Sequence, residues 1–180
     1  MSIVPDNKDW TWVMVRSCPE CGFDPREVDV RHMPQQIEQV AERWTVVLGR
    51  PRANVRPSPD KWSDLEYACH VRDVFTLFHS RLDAMIAVDG ARFENWDQDA
   101  TAVESAYNSQ EPARVSLELV DAARGLAGAF SLVGETQWEN RGFRSNGTEF
   151  TVESFARYLL HDLVHHLWDV GNDAVVVERM

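Results

Sequence analysis

Four stretches of the chain repeat apolar residues at helical spacing, with glycine or proline at their boundaries, and this pattern commits the fold to helices packed on helices. The first stretch follows Pro34, where Ile37, Val40, Ala41, Trp44, Val47 and Leu48 share a face before Gly49 and Pro51 end it. The second is predicted to start with Ser58 as cap, Pro59 in the first turn and Asp60 at the positive helix end. It runs to about Val88, and Asp89-Gly90 stops it. A third opens at Glu111-Pro112 and carries a stripe from Val115 to Val133, broken by Gly134. The fourth is capped by Thr151 and ends at Gly171-Asn172.

The connecting pieces have weaker signals. Residues 1–28 show no helical period, residues 90–100 read as a polar loop with two aromatic plugs, and a helical turn is expected near 101–108. Asn146-Gly147 is the preferred pair for a type I′ turn and predicts a small hairpin over 138–150. Residues 172–180 form a tail. The expected architecture is all-α: an antiparallel four-helix bundle over 34–171, an N-terminal extension over 1–33, and a β-hairpin before the last helix. At 180 residues this is one domain.

Composition narrows the function classes. A net charge of −11 argues against binding nucleic acid or an anionic membrane, both of which would be repelled. No apolar run approaches the roughly 20 residues that span a bilayer, and the first residues lack the basic and apolar regions of a signal peptide. The expected location is the cytoplasm. Three cysteines, Cys18, Cys21 and Cys69, do not make a secreted disulfide framework. Seven tryptophans suit a bundle core or a pocket wall.

Chemistry concentrates in the last helix. His161 and His165 stand four residues apart, about 40° apart in azimuth and one turn along the axis, so both imidazoles can hold one metal ion. His70, on the second helix, is a third candidate, and three neutral imidazoles with an open fourth position suit Zn²⁺ and also Ni²⁺. Glu66, Asp73, Asp162 and Asp169 are candidates for carboxylates that orient those histidines. Among them Asp73 and Asp162 are also candidate proton shuttles, and Arg157 is a candidate for binding an anionic substrate group. His166 points about 100° away from His165 and reads as a surface or interface residue. His32 and His79 read as incidental.

Two sharper motifs fall short. His161-Asp162-Leu163-Val164-His165 lies one methylene from the His-Glu-x-x-His protease pattern, which leaves the carboxylate too short for that role. Cys18-Pro19-Glu20-Cys21-Gly22 has half the ligands of a zinc knuckle, and no second Cys-x-x-Cys completes it. His32 or Cys69 would have to do so, and no spacing joins them to it. The pair reads as two reduced thiols in a turn.

Trp62-Ser63-Asp64-Leu65-Glu66-Tyr67-Ala68-Cys69-His70-Val71-Arg72-Asp73, followed by His161-x-x-x-His165-His166, resembles the DinB (damage-inducible) superfamily, nearest its actinobacterial-type subgroup, over about residues 35–170. The resemblance implies an up-down-down-up bundle holding a divalent metal, often zinc or nickel. Its three ligand positions fall on His70, His161 and His165. Some relatives are thiol-dependent transferases or isomerases that use mycothiol or bacillithiol, so the resemblance also implies a low-molecular-weight thiol cosubstrate, a small-molecule substrate and a homodimer. The expectation is a metal-dependent thiol S-transferase or hydrolase. The alternative is a non-catalytic, metal-containing stress-response or ligand-binding protein.

Overall fold

A computed structural model describes Ile3 and residues 8–171; the expected tail at 172–180 and the helix stop at Asn172 lie outside the described residues. Among the described residues five α-helices form: α1 Met33–Leu48, α2 Asp64–Ala87, α3 Gln98–Glu104, α4 Pro112–Ser131 and α5 Val152–Asp169. A three-stranded sheet joins them: β1 Ala91–Phe93, β2 Arg141–Arg144 and β3 Glu149–Thr151. The four long helices make the bundle, α4 lying along both α1 and α2 while α5 packs on the same pair. Trp44, Phe75, Leu65, Leu119, Leu126 and Phe155 are fully buried between them. No helix among the described residues is long and apolar enough to cross a membrane.

Helix α2 starts five residues later than the Ser58 expectation. Ser63 is the cap: its hydroxyl accepts from Glu66 N at 3.2 Å, and the Glu66 carboxylate accepts from Ser63 N at 2.9 Å. Ser58 has Lys61 three positions on and cannot build this reciprocal pair, whereas Ser63 has Glu66. The Ser58–Lys61 segment instead closes a turn through an isolated bridge, with Ser58 Oγ donating to Asp60 at 2.6 Å.

The hairpin forms, with a different turn and an added strand. Only Gly147 adopts a positive φ (+92°), while Asn146 does not, so the connection is a three-residue loop closed by Gly147 N to Arg144 O (2.9 Å) and Arg144 N to Thr148 O (2.9 Å). Ser145 is held elsewhere: its N–H donates to Phe93 O at 3.0 Å and its hydroxyl accepts from Asn95 N at 2.9 Å. Those contacts continue from β1, which pairs in parallel with β2 in the register Ala91–Gly142, Arg92–Phe143, Phe93–Arg144. Three residues are too few to show a two-residue alternation, so this part of the expected polar loop had no strand signal.

The N-terminal extension is part of the same core. Through short 3₁₀ turns at Thr11–Met14, Pro25–Glu27 and Val30–His32 it buries Val13, Cys18, Phe23, Val28 and Val30. The first of these turns packs against α5.

Candidate functional site

Thr151 sets the start of α5, accepting from Ser154 N at 3.1 Å while Ser154 Oγ accepts from Thr151 N at 3.0 Å. Ten residues on, the helix carries two adjacent ridges of metal-type ligands. His161 and His165 lie on one; Asp162 and His166, also four apart, lie on the next, about 100° around the axis. The two ridges meet different neighbours, and the expected three-histidine group divides accordingly.

The Asp162–His166 ridge faces α2. His70, Asp162 and His166 bring one ligand atom each within 4.8 Å of one another. His70 Nε2 is 3.7 Å from Asp162 Oδ2, and His166 Nε2 is 3.6 Å from Asp162 Oδ1. The imidazoles of His70 and His166 meet edge to face with centroids 4.7 Å apart. On its other ring nitrogen His166 is paired with Asp169 Oδ2 at 3.0 Å, the carboxylate–histidine arrangement that orients a metal ligand. Trp96 stacks on His70 at 5.3 Å and Trp62 lies 5.6 Å from it.

Electrostatics suit a cation here. Burial pushes the His70 pKa down against the pull of Asp162, so the imidazole is neutral at pH 7. Burial raises the Asp162 pKa, but His166 and His70 outweigh it and hold the carboxyl well below the usual carboxylate range. Both ring nitrogens of His70 and the Oδ2 of Asp162 are buried without a hydrogen-bond partner among the described residues. Two buried imidazole nitrogens and a buried carboxylate oxygen left unpaired are costly unless a ligand satisfies them, so this donor set fits a divalent metal ion.

The His161–His165 ridge faces the N-terminal extension. Cys18, Cys21, His161 and His165 form a second group whose ligand atoms also lie within 4.8 Å of one another. Burial, then His165, pushes the His161 imidazole down to about 4, and burial lowers His165 as well.

Two other expected site residues sit elsewhere. Asp73 accepts from the Tyr107 hydroxyl and from Arg72 Nε at 2.8 Å, within a network that includes Gln110 and Glu118, and it does not line the cavity described below. Arg157 donates to Pro25 O at 3.1 Å and pairs with Glu153 at 2.6 Å, fastening the extension to α5 away from that cavity. Glu66 belongs to the α2 cap and to an ion pair with Arg56. His166, expected at the surface or an interface, instead joins the group with His70, and the sequence carries a signal for it: Asp162 and His166 repeat the same four-residue spacing with a carboxylate as first member.

Both ridges line one cavity of about 1290 Å³. Trp10, Trp62 and Trp96 wall it, and Arg81 and Arg144 bring positive charge to it. Arg81 is almost fully buried and donates to Glu94 O at 2.7 Å; burial and the neighbouring Arg144 lower its pKa to about 10.

The family model of the DinB superfamily matches residues 36–170. The chain belongs to the DinB superfamily. Among solved structures it is similar to YfiT from Bacillus subtilis, described as a probable metal-dependent hydrolase with an unusual four-helix bundle topology. That similarity has a TM-score of 0.69 at 13% identity, over 83% of this chain and 92% of the other. No curated protein matches the chain. The four-helix bundle of this DinB member is thus shared with a protein of very different sequence, while the extension before residue 36 lies outside the family match.

Proposed function

We propose that this DinB member is a metal-dependent enzyme whose ion is held by His70, Asp162 and His166. One observation carries the reading: three ligands from two facing helices converge at a cavity where buried nitrogens of His70 and an oxygen of Asp162 have no hydrogen-bond partner among the described residues. Zn²⁺ is the first choice for such donors, and Ni²⁺ and Fe²⁺ are compatible with two imidazoles and a carboxylate. A divalent ion held by these residues would supply Lewis-acid chemistry, bringing the pKa of a thiol or water into the neutral range.

The protein's own groups have separable roles. Asp169 orients His166 through its 3.0 Å contact. Trp62 and Trp96 exclude water around His70. Arg81, which is buried, and Arg144, which is half-buried, line the cavity and favour a substrate with an anionic group. The cosubstrate is a low-molecular-weight thiol of the mycothiol type, whose sulfur attacks an electrophilic carbon. The S–H bond gives up its proton to solvent, a C–S bond forms, and the leaving group departs with the electron pair of the bond that breaks. Water in place of the thiol would make the same site hydrolytic, as the description of the Bacillus subtilis neighbour supports.

The test is metal quantification on protein purified without a histidine tag, followed by a screen of thiols against small electrophiles. Turnover that needs the metal and disappears in His70→Ala is expected. If His70→Ala folds and binds as much metal as the parent, the reading fails.

A further inference from the structure

The second ligand group remains outside that function, and it joins parts of the chain that the family pattern does not connect. We infer that Cys18, Cys21, His161 and His165 form a closed four-ligand zinc centre that clasps the N-terminal extension onto α5. The four ligand atoms lie within 4.8 Å of one another, and Cys18, His161 and His165 are buried. Cys18 Sγ is 3.8 Å from His165 Nδ1, across 147 residues of sequence. The other nitrogen of His165, Nε2, is 3.6 Å from Glu20, a carboxylate placed to orient a ligating ring. Buried Nε2 of His161 has no hydrogen-bond partner among the described residues.

Local geometry around the cysteines points the same way. Cys18 N donates to Phe23 O at 2.8 Å, Gly22 N donates to Cys18 O at 3.0 Å, and Gly22 takes φ +75°. The left-handed glycine turns the chain back so that both sulfurs face one point. Trp10 packs on both imidazoles, at 5.3 Å from His161 and 4.9 Å from His165, and Phe23 meets His161 edge-on at 5.5 Å. Two thiolates and two imidazoles with no open position are the donor set of a structural zinc site. On binding, two S–H bonds break, two protons pass to solvent and two Zn–S bonds form, with no change of oxidation state.

The consequence reaches the cavity. Lys8, Asp9, Trp10 and Glu20 of the extension line it, so the zinc centre would fix one wall of a cavity whose other wall carries His70.

Cobalt loading of the full-length, reduced protein tests this independently of the cavity site. A near-ultraviolet thiolate-to-cobalt charge-transfer band is expected in the parent and undiminished in His70→Ala. In Cys21→Ser the band and one equivalent of metal should both be lost. Because Cys21→Ser can fail to fold, the parent and His70→Ala spectra decide alone. Bound cobalt without the band overturns the zinc centre and leaves the cavity reading standing. A band with a single equivalent, unchanged in His70→Ala, supports the zinc centre and removes the cavity reading.

Discussion

The Asp169 carboxylate lies 3.0 Å from His166 Nδ1, and the other nitrogen of that ring, Nε2, faces Asp162 Oδ1 at 3.6 Å. Asp169→Asn is expected to weaken divalent-metal binding at the cavity by about 10- to 100-fold, the usual effect of losing such a partner. Competition against a chromogenic chelator measures it, and an unchanged affinity would remove Asp169 from the site. Glu66 shows a different use of a buried carboxylate. Burial raises its pKa, but hydrogen bonds from Arg56 and from the Ser63 backbone and hydroxyl outweigh that, leaving it below the ordinary value of 4.5. Above about pH 5 the carboxylate is charged in both folded and unfolded chains, and its stabilisation is complete. As pH falls the unfolded chain protonates first, so the contribution declines from near 4.5 and is gone below the folded-state value. Glu66→Gln should therefore flatten the pH dependence of the urea midpoint in that window.

Among the elements, the small sheet depends on a close approach. A Cβ at Gly142 would stand 2.8 Å from Met85 Cγ and Sδ and from Phe93 Cε1, so β2 can lie against α2 and β1 only because that position has no side chain. Gly142→Ala is expected to destabilise by about 1–3 kcal/mol through overpacking, read as a lower urea midpoint. Gly128, inside α4, meets nothing within 4 Å of a built Cβ. Gly128→Ala should be neutral or stabilising by roughly 0.5–1 kcal/mol. Equal destabilisation by both substitutions would show that β2 does not sit this tightly. The start of α2 follows similar logic. Two serines offer themselves as caps, and only the one with glutamate three residues later completes the reciprocal pair.

Across the whole molecule, the extension and the bundle share a core, with Cys18, Phe23, Val28 and Val30 buried in one cluster with the helices. If zinc fastens that contact, chelation should raise backbone hydrogen exchange in residues 8–32 and along α5. The protection of α1, α2 and α4 should persist, since they pack on one another without the extension. Exchange that rises uniformly, or nowhere, would place the stability of the extension in its apolar contacts alone.

Periodic apolar stripes, caps and breakers sufficed to specify four long helices, and the spacing of His161 and His165 marked α5 as the helix that carries ligands. These features are local, set by geometry within about four residues. Partnership between ligands is not local. A helical wheel shows two ridges on α5 but not which neighbour each will meet, and the His-to-His spacing drew attention from the equally spaced Asp162 and His166. Only tertiary packing joined His70 to that second ridge and brought Cys18 and Cys21 to the first. The reason is physical: contacts across some 90 to 147 residues depend on how layers stack, and chain spacing carries no record of that.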